Sequence, residues 1–372
     1  MPAFRFTIDF QLAGHQVTQL VSEKRGNSMS QMMKEILEQP ETLLKTFRAE
    51  RQHAQDFRKF ADHRNFRLIV LVARGTSDNA ALFGRYLFEL TTGIPVSLCA
   101  PSIHSIYHAR LDFRDALVAG ISQSGEGLDI NMVLRAARRQ GAYTVGITNE
   151  PKSSMAGLVD DLFLVRAGKQ RSVAATKTYT GQLMVLYLLA SALGHQVTLA
   201  GASEIPGRVR EVLSLEPNVR ELVERYRYMR QCVVVARGLN YANAFEMALK
   251  LMETCYVVAE RFSSADFLHG PIAMVERDFP VIIFMPNDKT LTEQRKLVGR
   301  LGSLRADTLA IAPASVRLPS GVRVIPMPES IPEIYTPIPY IVPGQIFAAH
   351  LAELKNLNPD KPRSLQMVTQ TI

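Results

Sequence analysis

A ten-residue segment of this 372-residue chain occurs twice, and such a duplication constrains the fold more than any single motif does. Residues 71–80 read LVARGTSDNA, and residues 234–243, which lie 163 positions later, read VVARGLNYAN. Each copy combines a short apolar segment, a glycine turn and a helical segment. We therefore predict two structurally related units in tandem. Two further pairs repeat at nearly the same offset: residues 116–121 with 280–284, and 143–147 with 307–311.

Short apolar strands that alternate with helices of about ten to fifteen residues are typical of parallel sheets covered by helices on both faces. The predicted fold class is therefore α/β, with two tandem, doubly wound parallel sheets. Ligands of such sheets bind at the carboxyl ends of the strands, where the turns lead into helices. The predicted site lies in those turns.

The repeat divides the chain into four predicted parts. Two α/β domains suit the chain length, and Gly201, Pro206 and Gly207 favour a linker near residues 194–216. Residues 1–28 share nothing with the repeat, and either an added strand or a misassigned start codon would explain them. The parts are residues 1–60 (extension and helices), 61–200 (first domain), 216–345 (second domain) and 346–372 (C-terminal helix and tail).

Composition argues against several classes of protein. Apolar residues make up 47% and charged residues 21%, as in ordinary globular proteins. The apolar runs have strand length and no secretory signal is evident, so we expect a cytoplasmic protein without membrane association. The net charge is +8, but the basic residues are scattered, so no nucleic-acid partner is expected. The three cysteines and eight histidines lack metal-ligand spacing, which predicts reduced thiols, no metal and no cofactor.

Two turns of the first half are rich in hydroxyl groups and glycine: residues 75–77 (GTS) and 122–127 (SQSGEG). Small residues allow a phosphate to approach closely, while hydroxyls and a helix N-terminus attract its charge. One such turn would be explained by helix capping alone, but two at one sheet edge favour a phosphate site. The candidate contacts are Gly75, Thr76, Ser77, Ser122, Gln123, Ser124 and Gly127.

The second half carries candidate acid and base groups instead. Lys250 and Glu253 are three residues apart and so share one helix face. A carboxylate on this mostly apolar helix is costly unless it is paired or functional. An ordinary surface ion pair is the alternative. His269 precedes Gly-Pro, and a lone loop histidine is more often structural.

Six motifs together resemble the isomerase half of glucosamine-6-phosphate synthase, from the tandem sugar-isomerase (SIS) family. The similarity runs from about residue 30 to the C-terminus, with the motifs in the family's order. This resemblance implies two flavodoxin-like SIS domains. The motifs are GTS at 75–77, SQSGE at 122–126, SVAATK at 172–177, ALKLME at 248–253, LHGP at 268–271 and KPRSL at 361–365.

The resemblance also implies roles for individual residues. Glu253 would move a proton between C1 and C2 of the sugar, and Lys250 would be a nearby cation that contacts the substrate. His269 would open the sugar ring from the partner subunit, which implies a homodimer. A sugar phosphate would be held by Ser122, Gln123, Ser124 and Thr76, aided by Ser77 and the backbone at Val173 and Ala174. Lys177 is expected to have a local structural role.

Three departures from the family pattern shape the expected activity. No cysteine precedes Cys99, so we expect no glutamine-driven synthesis. Met367 stands where the family has a lysine that forms an imine, and Gly127 where it tends to have threonine. The sequence is therefore similar to stand-alone glucosamine-6-phosphate deaminases, which release fructose 6-phosphate and ammonia.

Three alternatives stay open at this point. A fructosamine-6-phosphate deglycase or a galactosamine-6-phosphate deaminase would use the same proton-transfer logic. A non-catalytic sugar-phosphate sensor would use only the binding function. Glu253 and His269 argue against the sensor, and no DNA-binding module is evident.

Overall fold

The computed structural model describes residues 29–366, so the predictions for residues 1–28 and for Met367 lie outside it. Two parallel five-stranded sheets form the framework. The first contains β1 (Leu68–Val72), β2 (Val96–Leu98), β3 (Ala116–Ile121), β4 (Tyr143–Thr148) and β5 (Asp161–Leu164). The second contains β6 (Gln231–Ala236), β7 (Val258–Ser263), β8 (Pro280–Phe284), β9 (Asp307–Pro313) and β10 (Arg323–Met327).

Helices connect the strands and cover both sheets. None of the helices in the described part of the chain is long and apolar enough to cross a membrane. The helices are α1 (Gln31–Leu37), α2 (Gln39–Ala61), α3 (Thr76–Thr92), α4 (Ser102–Ser105), α5 (Leu128–Arg139), α6 (Lys177–Leu193), α7 (Leu199–Leu213), α8 (Glu216–Val223), α9 (Tyr241–Cys255), α10 (Ser264–Leu268), α11 (Leu291–Ser303) and α12 (Pro337–Leu354).

The two sheets have the same topology, which agrees with the α/β class expected from the repeat. The first has the strand order β2-β1-β3-β4-β5, and the second has β7-β6-β8-β9-β10 when read in the same direction. In the first sheet the direction of the crossover reverses between the neighbouring strands β1 and β3, and in the second it reverses between β6 and β8. Such sheets bind ligands at the carboxyl ends of the strands at this reversal. The turns after β1 and β3 therefore face one crevice.

Two almost completely buried helices form the centre of the molecule. Sixteen of the seventeen residues of α6 are buried, and so are residues 337–352 of α12. A helix that is apolar all round belongs between other layers. Contacts of α6 with α2 and α3, and of α12 with α7, α8 and α9, join both halves in one core.

The boundaries differ from the sequence prediction in two places. Residues 194–216, expected to be a linker, contain the regular helix α7, which runs through Pro206. Ile205 and Val209 of this helix are buried in the core. The C-terminal helix begins at Pro337 rather than near residue 346. Sequence reasoning took glycine and proline as signs of a linker, but burial of the apolar face outweighs their low helix propensity.

A histidine between two carboxylates fastens α2 to the edge strand β5. The Nδ1 atom of His53 lies 3.1 Å from Glu50 and its Nε2 atom lies 2.5 Å from Asp161. The ring also stacks on Phe163 at 4.0 Å. Hydrogen bonds to Asp161 and Glu50 outweigh the effect of burial and raise the pKa of His53 to about 9.

This raised pKa predicts a pH-dependent contribution to stability. Because the folded protein binds the proton more tightly than the unfolded chain, the contribution is complete below pH 6.5 and is lost as the pH rises through about 9. We expect His53→Gln to lower the free energy of unfolding at pH 6 by on the order of 1–2 kcal/mol, allowing for partial solvent screening. Urea unfolding at pH 6 and pH 9.5 measures this, and an equal loss at both pH values would contradict it.

Candidate active site

A cavity of about 420 Å³ lies at the carboxyl ends of β1 and β3, at the crossover reversal of the first sheet. Its wall includes the two predicted turns, the loop before α6 and Glu253 from α9 in the second half. The structure thus brings most of the predicted binding residues together with the predicted base. Those that line the cavity are Gly75, Thr76, Ser77, Ser122, Gln123, Ser124, Gly127, Val173 and Glu253.

The turn after β1 depends on Gly75. Its φ of 58° and ψ of −132° lie in a region that is essentially limited to glycine. The next two hydroxyls do not act as simple helix caps: Thr76 Oγ1 accepts from Lys250 Nζ at 3.1 Å, and Ser77 Oγ accepts from Gln182 Nε2 at 2.9 Å. Capping therefore does not explain this motif.

Hydroxyl groups within the turn after β3 stabilise its conformation. Ser122 Oγ accepts from the backbone N–H of Gly125 at 3.1 Å, and Ser124 Oγ accepts from the backbone N–H of Glu126 at 3.3 Å. Gly125 has a φ of 66°, and a Cβ there would lie 2.2 Å from Ser153 Oγ. Gly127 is the N-cap of α5 and brings no capping side chain. The start of α5 therefore faces the cavity, an arrangement suited to an anion.

Lys250 joins the two halves of the site. It is fully buried, and its Nζ atom contacts Thr76 of the first half, Glu253 at 2.5 Å and Glu246 Oε1 at 3.5 Å. The alternative of an ordinary surface ion pair is therefore wrong. Glu253 keeps 21% of its side chain exposed, on the cavity side. Lys250 lies on the protein-interior side of this carboxylate and fixes its orientation.

The electrostatics keep Lys250 positively charged. Burial alone favours a neutral amine, but attraction by Glu246 and Glu253 outweighs burial and raises the pKa of Lys250. Burial also raises the pKa of Glu246 to about 7, although Lys250 and a hydrogen bond from Asn79 oppose the rise. Lys250 thus lies in direct contact with two carboxyl groups, those of Glu246 and Glu253.

Sequence reasoning missed Glu246. It lies on α9 one turn before Lys250, and Asn79 Nδ2 on α3 donates to its Oε2 atom at 2.8 Å. The i, i+4 spacing to Lys250 was a usable signal, but only the packing of α3 against α9 shows that the carboxylate is buried. Sequence reasoning also missed four residues that line the cavity: Arg74, Asp129, Thr178 and Gln182.

The loop before α6 differs in detail from the prediction. Ala174, predicted to contact the sugar phosphate, is completely buried in the core, and Ala175 lines the cavity instead. The backbone N–H of Val173 donates to the carbonyl oxygen of Asp360 at 3.2 Å. Lys177 pairs at 2.7 Å with Glu38, 139 positions away, so its contact is structural but not local. The direction of each loop side chain depends on tertiary contacts that spacing does not reveal.

Helix α1 and the C-terminal segment hold this loop in place. Buried Glu35 accepts hydrogen bonds from Gln170 Nε2 and from the backbone N–H of Arg171 and Ser172. The carboxylate of Asp360 accepts from the first backbone N–H groups of α1, those of Gln31 at 2.9 Å and Met32 at 2.7 Å. The loop before α6, which forms part of the cavity wall, is thus held by α1 and by the segment around Asp360, both remote from it in sequence.

His269 lies outside the cavity of its own chain. It is exposed, directly follows α10, and its backbone N–H donates to the backbone carbonyl oxygen of Asp266. It is not among the residues that line the cavity. Its predicted role from a partner subunit stays a prediction. Within residues 29–366, no cluster of His, Cys, Asp and Glu side chains is arranged to hold a metal ion.

Comparison with known proteins assigns the class. Residues 64–192 and 226–315, more than half of the chain, match the SIS domain model. The chain belongs to the SIS domain family, with two such domains in tandem.

A curated relative extends the likeness to named enzymes. The chain is 37% identical over 316 residues to glutamine–fructose-6-phosphate aminotransferase (isomerizing) of Gloeobacter violaceus. The match covers 80% of this chain and 51% of the relative. The chain thus spans about half to three fifths of the length of the curated relatives it matches.

Solved structures show the same architecture. The C-terminal domain of glucosamine-fructose-6-phosphate aminotransferase from Francisella tularensis matches with a TM-score of 0.80 and 26% identity, covering 91% of this chain and 99% of that one. Glucosamine-6-phosphate deaminase from Thermotoga maritima matches with a TM-score of 0.75 and 22% identity, covering 92% and 100%. The latter likeness shows the shared fold alone.

Lys250, Glu246 and Glu253 form one ion cluster, so we expect the effects of their substitutions on stability to be strongly coupled. Lys250→Met leaves Glu246 and Glu253 without their cation, so we expect it to lower the free energy of unfolding by about 3–5 kcal/mol. Lys250→Met combined with Glu246→Gln removes one charge of each sign and keeps a side chain that can bond to Asn79. We expect the double variant to recover much of the loss in urea unfolding. Simple additivity of the two single losses would contradict the coupling.

Proposed function

We propose that this chain converts glucosamine 6-phosphate to fructose 6-phosphate and ammonia. The observation that carries the proposal is the position of the Glu253 carboxylate in the same cavity as the hydroxyl-rich turns after β1 and β3. An anion-binding end and a carboxylate within one cavity of about 420 Å³ suit a phosphorylated sugar that undergoes proton transfer.

The proposed chemistry begins with the opening of the sugar ring. In the open aldehyde, Glu253 removes the proton from C2, and the released electron pair forms the C1–C2 double bond of an enolamine. O1 takes up one proton from the medium in this step, and the nitrogen returns one to the medium when the imine forms. The carboxyl group then returns the proton to C1, which gives an imine at C2. Water adds to this imine and ammonia leaves, so that the ketone of fructose 6-phosphate forms. Every atom of the released products comes from the substrate and one water.

The contacts of Lys250 support the choice of Glu253 as the base. A proton shuttle must keep one orientation toward two adjacent carbons, and the buried Lys250 ammonium holds the carboxylate in contact. The Lys250 ammonium also donates to Thr76 in the turn after β1, which faces the proposed phosphate end. The orientation of Glu253 therefore depends on that turn.

A second candidate is the reverse direction, the formation of an amino sugar from fructose 6-phosphate and ammonia. The name of the Gloeobacter violaceus relative favours it. A fructosamine-6-phosphate deglycase and a galactosamine-6-phosphate deaminase remain further candidates because they need the same proton transfer. A sensor without catalysis would bind sugar phosphates and turn none of them over.

We predict that Glu253→Gln keeps sugar-phosphate binding and lowers turnover by at least about a hundredfold, because the amide cannot accept the proton. Ammonia release is measured from glucosamine 6-phosphate and galactosamine 6-phosphate, release of the free amine from fructosamine 6-phosphates, and amino-sugar formation from fructose 6-phosphate with ammonia. The matched control is Glu293→Gln, which removes an exposed carboxylate that pairs with Lys296 three residues away at 2.8 Å. Near-normal turnover by Glu253→Gln would refute the assignment.

We further propose that the working site is shared between two copies of the chain, with His269 of a second copy assisting ring opening. The position of His269 outside its own cavity motivates this, together with the resemblance to the family. A two-fold dimer would then contain two equivalent shared sites.

Mixing two inactive variants tests the shared site. In a mixed dimer of His269→Ala and Glu253→Gln, one site combines an intact Glu253 with an intact His269. Random pairing of equal amounts predicts about a quarter of wild-type ammonia release, since half of the dimers are mixed and each has one intact site. Co-expression with two affinity tags allows the mixed dimer to be isolated. No recovery in that dimer would show that both groups act within one chain.

A further inference from the structure

One arginine in the cavity has no role in the chemistry above. Arg74 is the last residue before Gly75 in the turn after β1, and 48% of its side chain is exposed. Of the described residues that line the cavity, Arg74 is the one with a cationic side chain, since Lys250 lies beneath the wall. Its position is therefore suited to a negatively charged part of a ligand.

A buried carboxylate holds Arg74 in place. The Nε atom of Arg74 donates to Asp129 Oδ2 at 2.7 Å, and the Asp129 side chain is only 1% exposed. Asp129 lies in the first turn of α5, the helix that follows the serine-rich turn after β3. The pair thus bridges the two turns of the cavity and fixes the guanidinium beside the start of α5.

The charges in the cavity indicate what Arg74 contacts. A phosphate monoester carries about −1.5 to −2 charges at pH 7. Hydroxyls, an amide and backbone N–H groups are neutral donors, and a helix N-terminus supplies only about half a positive charge. A guanidinium adds donors that match phosphate oxygens and a positive charge, which Asp129 offsets in part at Arg74. Arg74 lies by the start of α5, where such donors converge.

We propose that Arg74, positioned by Asp129, binds the phosphate of the substrate and selects phosphorylated over unphosphorylated sugars. This inference rests on the proposed function, because it assigns a phosphate to this end of the cavity. The competing explanation is that the Arg74–Asp129 pair only ties the two turns together. That explanation predicts a loss of stability without a change in ligand charge preference.

Equilibrium binding to the full chain separates the two explanations. The probes are fructose 6-phosphate, fructose and inorganic phosphate. We expect Arg74→Met to raise the Kd for fructose 6-phosphate by about 10- to 100-fold, the usual range for a lost charge-assisted hydrogen bond. Fructose should bind the wild type and the variant equally weakly. The matched control is Arg85→Met, which removes an arginine of 50% exposure on α3 that also pairs with a carboxylate, Glu89, outside the cavity.

The pH dependence of binding gives a second readout. The second ionisation of a phosphate monoester has a pKa near 6. Wild-type affinity for fructose 6-phosphate should rise between pH 5 and pH 7.5 as the dianion forms, and Arg74→Met should lose most of this rise. A purely structural bridge would leave the rise intact. Arg74→Lys keeps the charge and should retain the rise with weaker binding, which keeps the test valid if Arg74→Met does not fold.

Each outcome decides the question. Equal Kd values for wild type and folded Arg74→Met would overturn the inference, as would an equal loss for Arg85→Met. A wild type that binds fructose 6-phosphate through Arg74 but releases no ammonia would support the inference and refute the deaminase proposal. A wild type that binds neither fructose 6-phosphate nor inorganic phosphate would overturn both.

Discussion

The buried ammonium of Lys250 is the interaction on which the site depends. A charge removed from water is stable only with close partners, and Lys250 has two carboxylates on its own helix. Its third contact, Thr76, belongs to the other half of the chain. The same ion cluster therefore satisfies a packing requirement and fixes the position of Glu253 relative to the turn after β1. Neither SIS domain alone contains this arrangement.

The two units share one fold but contribute different side chains to the cavity. Both sheets have the same strand order, so both present turns at an equivalent crevice. In the first half those turns contain glycine and hydroxyl residues, whereas the turn after β6 begins with Arg237, Gly238 and Leu239. The second half instead contributes the face of α9 that packs on α3. Residues of both units thus line the cavity at the carboxyl ends of β1 and β3.

The sequence predicted the parts of the molecule that local chemistry determines. Apolar repeats indicated both sheets, and the turns at Gly75 and Ser122 indicated the crevice between β1 and β3. It did not predict that Glu246 is buried, that Ala175 rather than Ala174 faces the cavity, or that residues 199–213 form a helix. Each of these depends on contacts between segments far apart in the chain, such as Asn79 with Glu246 across the two halves.

The contacts of Asp360 have a consequence for the order of folding. Its carboxylate reaches Gln31, 329 positions away in the chain, and its carbonyl oxygen fixes Val173 in the cavity wall. Contacts between such distant residues carry a large loop-closure entropy and form late unless other structure has already closed the loop. Because the wall at Val173 depends on Asp360, ligand affinity should report the placement of the C-terminal segment as well as the folding of the first domain.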